Sequence, residues 1–102
     1  MRIDFERSGG FAGMTISSSV DTDKLSASEA GDLTQIVKSA QFFSLPERIN
    51  GGPGADQFNY KITVQSDTLS RTVQTTDSAM PPNLKPLVDR MMALARSGQR
   101  AQ

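Results

Sequence analysis

The chain has 102 residues, enough for one domain with a single core that buries roughly two-thirds of its unfolded surface. Lys plus Arg and Asp plus Glu number 11 each, and no basic run is present, so the electrostatic footprint of a nucleic-acid binder is missing. Histidine and cysteine are both absent, which removes the usual neutral-pH base, the thiolate nucleophile and the nitrogen and sulfur ligands of zinc, copper and iron.

The first twenty residues, MRIDFERSGGFAGMTISSSV, read as a β-hairpin. With Gly9 and Gly10 at the centre of a tight turn, Phe5 falls opposite Met14 and Ile3 opposite Ile16, giving one apolar face. Phe11 then lies on the polar face with Asp4, Glu6 and Thr15, flanked by Gly10, Ala12 and Gly13. A ring so presented suits a partner's pocket. The other reading is a bulge at Gly13 that turns Phe11 back into the core.

Ser26 and Glu29 make a capping box, and Ala30, Leu33, Ile36, Val37 and Ala40 follow at helical spacing, which predicts an amphipathic helix over 27–41. Phe42, Phe43, Leu45 and Pro46 close it off, with at least one phenylalanine expected in the core. The segment from Glu47 to Gln57 is a glycine-rich loop, with Asn50, Gly51, Gly52, Pro53, Gly54 and Asp56 as candidate contacts and plain connector as the alternative. No strand precedes it, no Gly-Lys-Ser/Thr ends it and no helix follows, so it is no phosphate cradle.

Phe58, Tyr60, Ile62 and Val64 alternate with Asn59, Lys61, Thr63 and Gln65, the pattern of a half-buried antiparallel strand. A turn at 66–68 and a fourth strand over 69–76 pair Val64 with Leu69, Tyr60 with Val73 and Phe58 with Thr75. Arg71 then sits opposite Ile62, snorkelling at the sheet edge or binding a carboxylate. Tyr60 buries its ring and keeps its hydroxyl bonded near the rim. After the breaker-rich TDSAMPPNLKP, the residues Leu84, Leu87, Val88, Met91, Leu94 and Ala95 define a second helix to about Arg96, with Pro86 in its first turn and Gly98 ending it.

The expected architecture is α+β: one domain over 1–98 in the order β-β-α-β-β-α, a four-stranded, mainly antiparallel sheet packed against two helices, with a frayed tail over 99–102. No paired carboxylates, Ser/Lys spacing or other catalytic arrangement stands out, so no catalytic, cofactor or metal residues are assigned and an enzyme is not expected. The charged start MRIDFERS and the short apolar runs point to a cytoplasmic protein without a membrane partner.

Taken together, FERSGGFAGM, SLPE, GADQFNY with the alternating ITV behind it, and PPNLKPLVDRMMALAR resemble the emfourin family across almost the whole chain. These are small cytoplasmic proteins of bacteria and archaea that inhibit thermolysin-like (M4) metalloproteases of the protealysin group. The resemblance implies a non-enzymatic inhibitor whose partner is such a protease; separately, the free chain is expected to be a monomer. It carries no residue-level inhibition motif onto this sequence. Gly9, Gly10, Phe11, Ala12, Gly13 and the loop from Asn50 to Asp56 are therefore the candidate contacts on their own chemistry. Thermolysin-like enzymes favour a bulky apolar side chain just after the scissile bond, a subsite that Phe11 suits. The alternative from a different class is an adaptor that binds through a sheet edge or the glycine-rich loop.

Overall fold

Strands β1 (Arg2–Gly9), β2 (Ile16–Asp21), β3 (Phe58–Gln65) and β4 (Ser70–Thr76) alternate in pairs with helices α1 (Ala27–Ser39) and α2 (Lys85–Arg100), as the sequence pattern predicts. The computed structural model describes residues 1–9, 15–49 and 58–100, with side chains through 96. All three strand pairings are antiparallel and the spatial order is β2-β1-β3-β4, so two hairpins are joined through β1 and β3. The first strand of the chain is thus a central one.

Period-two alternation divides the sheet cleanly. Ile3, Phe5, Tyr60, Ile62, Val64 and Val73 point to one side and are buried against Leu33 and Val37 of α1, the Phe42 ring, and Leu84, Leu87, Val88 and Met91. Glu6, Ser17, Ser19, Asn59, Lys61 and Gln65 occupy the opposite face and are exposed. Both helices therefore cover the same side of the sheet. The Ser18 hydroxyl, on the helix side of β2, donates to the Met91 carbonyl at 2.9 Å and fastens α2 over that strand.

Helix α1 starts where its capping box places it. The Glu29 N–H donates to Ser26 Oγ at 3.2 Å, and the Ser26 hydroxyl donates to Glu29 Oε1 at 3.2 Å. The helix ends at Ser39, two residues short of the expected limit, because Gln41 adopts a left-handed conformation (φ 52°, ψ 46°) that cannot continue it. A single 3₁₀ turn at Phe42–Ser44 then inserts Phe42 into the core at 1 % exposure, edge-on to Phe43 at 6.0 Å. Helix α2 departs from expectation at its other end. Gly98 does not terminate it, and the helix runs to Arg100, leaving 101–102 outside the described residues. One glycine inside a helix costs about 1 kcal/mol relative to alanine, less than is needed to break an established run.

Both hairpin registers differ from those expected. Ile3 pairs with Val20, Phe5 with Ser18 and Arg7 with Ile16, so β2 is displaced by four residues, and the pairings of Phe5 with Met14 and Ile3 with Ile16 do not occur. Gly9 is not a central turn residue: it belongs to β1 and pairs with Phe58 of β3, which lengthens the β1–β2 connection. In the second hairpin Val64 faces Arg71, Ile62 faces Val73 and Tyr60 faces Thr75, two residues from the expected register. The cause is a four-residue connection, Ser66 to Leu69, closed by the Ser66 N–H on the Leu69 carbonyl at 2.7 Å and the Leu69 N–H on Ser66 Oγ at 3.1 Å. Leu69 is left 55 % exposed instead of packing on Val64. Both displacements are even, so every side chain keeps its face.

The two sheet edges are unlike. Along β4, the Gln74 N–H donates to the Glu47 carbonyl and the Ile49 N–H to the Gln74 carbonyl, each at 2.8 Å, so the segment after α1 runs beside the strand in a short parallel bridge. The Arg71 guanidinium donates to the Leu45 carbonyl, through Nε at 2.8 Å and also through Nη2. Arg71 is therefore a tie for that covering segment, not a free snorkelling side chain or a carboxylate partner.

Candidate functional site

The β1–β3 ladder ends at the pair Gly9–Phe58. This places the last described residue before 10–14 directly opposite the first described residue after 50–57. The same register sets Thr76 against Asn59, so the turn after β4 leaves from that end as well. Gly9 has φ 93°, a region that side chains beyond glycine enter only with strain. Of the residues singled out from the sequence, Gly9 is described. Gly10, Phe11, Ala12 and Gly13, and likewise Asn50, Gly51, Gly52, Pro53, Gly54 and Asp56, lie outside the described residues. What the topology brings together is the roots of the two glycine-rich segments, strands apart in sequence and adjacent in space.

Four side chains fix those roots. Asp77, in the turn after β4, uses both carboxylate oxygens: Oδ2 accepts the Phe58 N–H at 3.1 Å and Oδ1 accepts the Tyr60 hydroxyl at 2.6 Å. One carboxylate thereby holds the first residue of β3 and the aromatic two positions on. The Arg7 guanidinium lies 4.1 Å from the centroid of the Phe58 ring, a cation–π contact across the β1–β3 pair. Tyr60 is 8 % exposed and tilts against Phe5 with ring centroids 6.2 Å apart, so its ring completes the core while its hydroxyl reaches the rim, as the sequence suggests. Sequence reasoning did not find Asp77. Its one trace there is an aspartate inside a breaker-rich turn, and its two partners lie 17 and 19 residues upstream.

Burial, then the hydrogen bond and the negative charge of Asp77, push the Tyr60 phenol up to about 12, against the opposing influence of Arg7. Since the folded-state value is raised above the ordinary 10, the protonated phenol is favoured by folding. This contribution is intact below about pH 10 and is lost as pH rises from there through 12. The chain has one tyrosine and no tryptophan, so phenolate absorbance reports Tyr60 alone. The expected midpoint is near 12 in the native protein and near 10 in denaturant, with Asp77→Asn moving the native value downward. A native midpoint at 10 would show that the Tyr60–Asp77 bond is not made.

Beside this root lies a cleft of about 490 Å³ whose walls include Arg7, Tyr60, Asp77, Met80, Lys85 and Met92. It mixes cations, carboxylates and thioethers without converging on any single atom. The Lys85–Asp89 pair at 3.5 Å on its rim is exposed and adds little stability. Among the described residues no three His, Cys, Asp or Glu side chains are grouped so as to hold a metal ion, and no helix is long and apolar enough to cross a membrane. Among the described residues this end of the sheet carries the Arg7, Phe58, Tyr60 and Asp77 side chains beside Gly9.

Comparison with curated proteins and with solved structures returns no match. A family model does match, and it spans residues 5–92, from within β1 through the first half of α2, including both loop roots and the Asp77 anchor. On that extent of agreement, the chain belongs to the Emfourin family, an inhibitor family.

Proposed function

We propose that this protein is a non-enzymatic inhibitor of a thermolysin-like zinc metalloprotease of the protealysin type, and that it acts by covering the active-site cleft with the Gly9–Phe58 end of the sheet. Family membership supports a protease as partner. The observation that carries the mode of action is the pairing of Gly9 with Phe58, which roots both glycine-rich segments side by side. A protease cleft is concave, and a complementary inhibitor needs a narrow projection with little side-chain bulk in its way. Gly9, Gly10, Ala12 and Gly13 around Phe11 supply that chemistry, with Asn50 to Asp56 as a second contact. The site of action is the bacterial cytoplasm in this reading.

Blocking is steric. A chain with no histidine and no cysteine offers the zinc oxygen atoms alone and cannot compete for it with the protease's own ligands. The test is residual activity of a purified protealysin-like enzyme against increasing inhibitor, with bound zinc measured on the same samples. Activity is expected to fall reversibly with the inhibitor uncleaved and the zinc retained. Full activity at large excess across several related enzymes would overturn the proposal, and zinc loss in step with activity would overturn the steric mechanism. The adaptor reading has less of the β4 edge to use, since Gln74 is already bridged by residues 47–49.

A further inference from the structure

Among the described residues nothing pairs with the outer edge of β2, and the hydrogen-bond alternation shows which groups it presents. The Thr22 N–H donates to the Met1 carbonyl at 2.8 Å, so Met1 and Thr22 form a hydrogen-bonded pair. Alternation along an antiparallel ladder makes Ile3–Val20, Phe5–Ser18 and Arg7–Ile16 the next such pairs. Ser17, Ser19 and Asp21 therefore turn their N–H and C=O groups away from β1, and among the described residues no other segment pairs with them. Monomeric sheets usually protect an edge with lysine, proline, a bulge or a covering segment. The β4 edge has its covering segment. Ile16–Asp21, ISSSVD, has no lysine or proline and runs in unbroken register. On its helix side, Ile16 and Val20 are left partly exposed although they face the same way as the core residues of β1.

We propose that β2 pairs with β2 of a second copy, antiparallel, about a twofold axis at Ser18, to make a continuous eight-stranded sheet. This register is self-complementary. Ser17 meets the partner's Ser19 through outward main-chain groups on both sides of the axis, and Ile16 lies against the partner's Val20 on the helix side, which covers the two half-exposed apolar side chains. Asp21 falls opposite the partner's Thr15, so no like charges meet along the paired strands, and the chain's zero net charge imposes no long-range repulsion. The pairing departs from the free monomer expected from the sequence, where the strand order that leaves β2 at an edge is not visible. It also sends the two Gly9–Phe58 ends in opposite directions, leaving both open.

Sedimentation equilibrium of the full chain from low micromolar to millimolar concentration tests the pairing, with a rise towards twice the monomer mass expected. Ser17→Pro removes an outward N–H without touching the β1 ladder and is expected to stay monomeric, with the parent's melting temperature at concentrations where the parent is monomeric too. Should that variant fold poorly, Ser18→Cys gives an independent reading. The chain has no other cysteine, and Cα atoms in a non-hydrogen-bonded pair at the axis lie about 4.5 Å apart, within disulfide reach. Oxidation is expected to cross-link S18C far more fully than Lys61→Cys on the open face of β3. A single monomeric species at all concentrations would overturn the proposal. So would a dimer that persists in S17P, equal cross-linking of S18C and K61C, or an edge that S17P shows to serve inhibition while the parent stays monomeric.

Discussion

Phe11→Ala is expected to weaken inhibition of the target protease about 30-fold or more while the denaturant midpoint stays at the parent's value. The figure corresponds to at least about 2 kcal/mol, the scale of an interface residue that fills a pocket. Small residues surround the ring in sequence. Gly10, Ala12 and Gly13 carry too little side chain to shield it, and Gly9, at the end of β1, holds a positive φ. An aromatic carried on so little bulk can enter a subsite shaped for a large apolar side chain with the main chain following closely. The competing arrangement, a bulge at Gly13 that returns Phe11 to the core, gives the opposite pattern: a loss of about 3 to 5 kcal/mol in stability, with inhibition falling only as the fold fails. Denaturant midpoint and inhibition constant measured on one preparation separate the two. A variant unchanged in both would shift attention to Asn50 through Asp56.

Phe42→Ala is expected to do the reverse. Truncating a ring at 1 % exposure removes its burial and leaves a cavity, a loss of about 3 to 5 kcal/mol. For a domain of this size that is a large share of the total, so the midpoint should fall sharply. Inhibition per folded molecule should not change. Phe42 lines a shallow surface cavity together with Met1, at the opposite end of β1 from Gly9, and an eight-residue strand spans roughly 26 Å. Titrating active inhibitor at a temperature where the variant remains folded checks this. A drop in affinity matching that of Phe11→Ala would mean that the cleft-covering surface extends along the whole sheet.

The faces of this protein are legible in its sequence, and its neighbours are not. Alternation in FNYKITVQ places Tyr60, Ile62 and Val64 in the core and leaves Phe58 partly buried, and the apolar positions Leu33, Val37, Leu87, Val88 and Met91 are buried as their spacing predicts, because periods of 2 and 3.6 are local properties. Register is a different quantity. Displacing β2 by four residues or β4 by two leaves every face unchanged, so hydrophobic patterning has no power to choose among those alternatives. The turn chemistry that would decide it was misleading at Gly9, whose partner turned out to be Phe58, 49 residues on, not the adjacent strand's turn. The Asp77 anchor escaped for the same reason: a carboxylate's role depends on which N–H and hydroxyl the topology brings to it.

The place of β1 in the sheet also governs how the molecule must assemble. The strand that starts at Arg2 has to wait for β3, whose last residue, Gln65, is its partner, so the widest sheet pairing closes a loop of more than sixty residues. Each hairpin alone exposes an apolar side and gains little. Joining them is the step that buries the core, and its chain-entropy cost falls before most of the burial is realised. Refolding should therefore be slower than that of a helical bundle of equal length. Trimming the first few residues would remove the middle of the sheet, not a dispensable end.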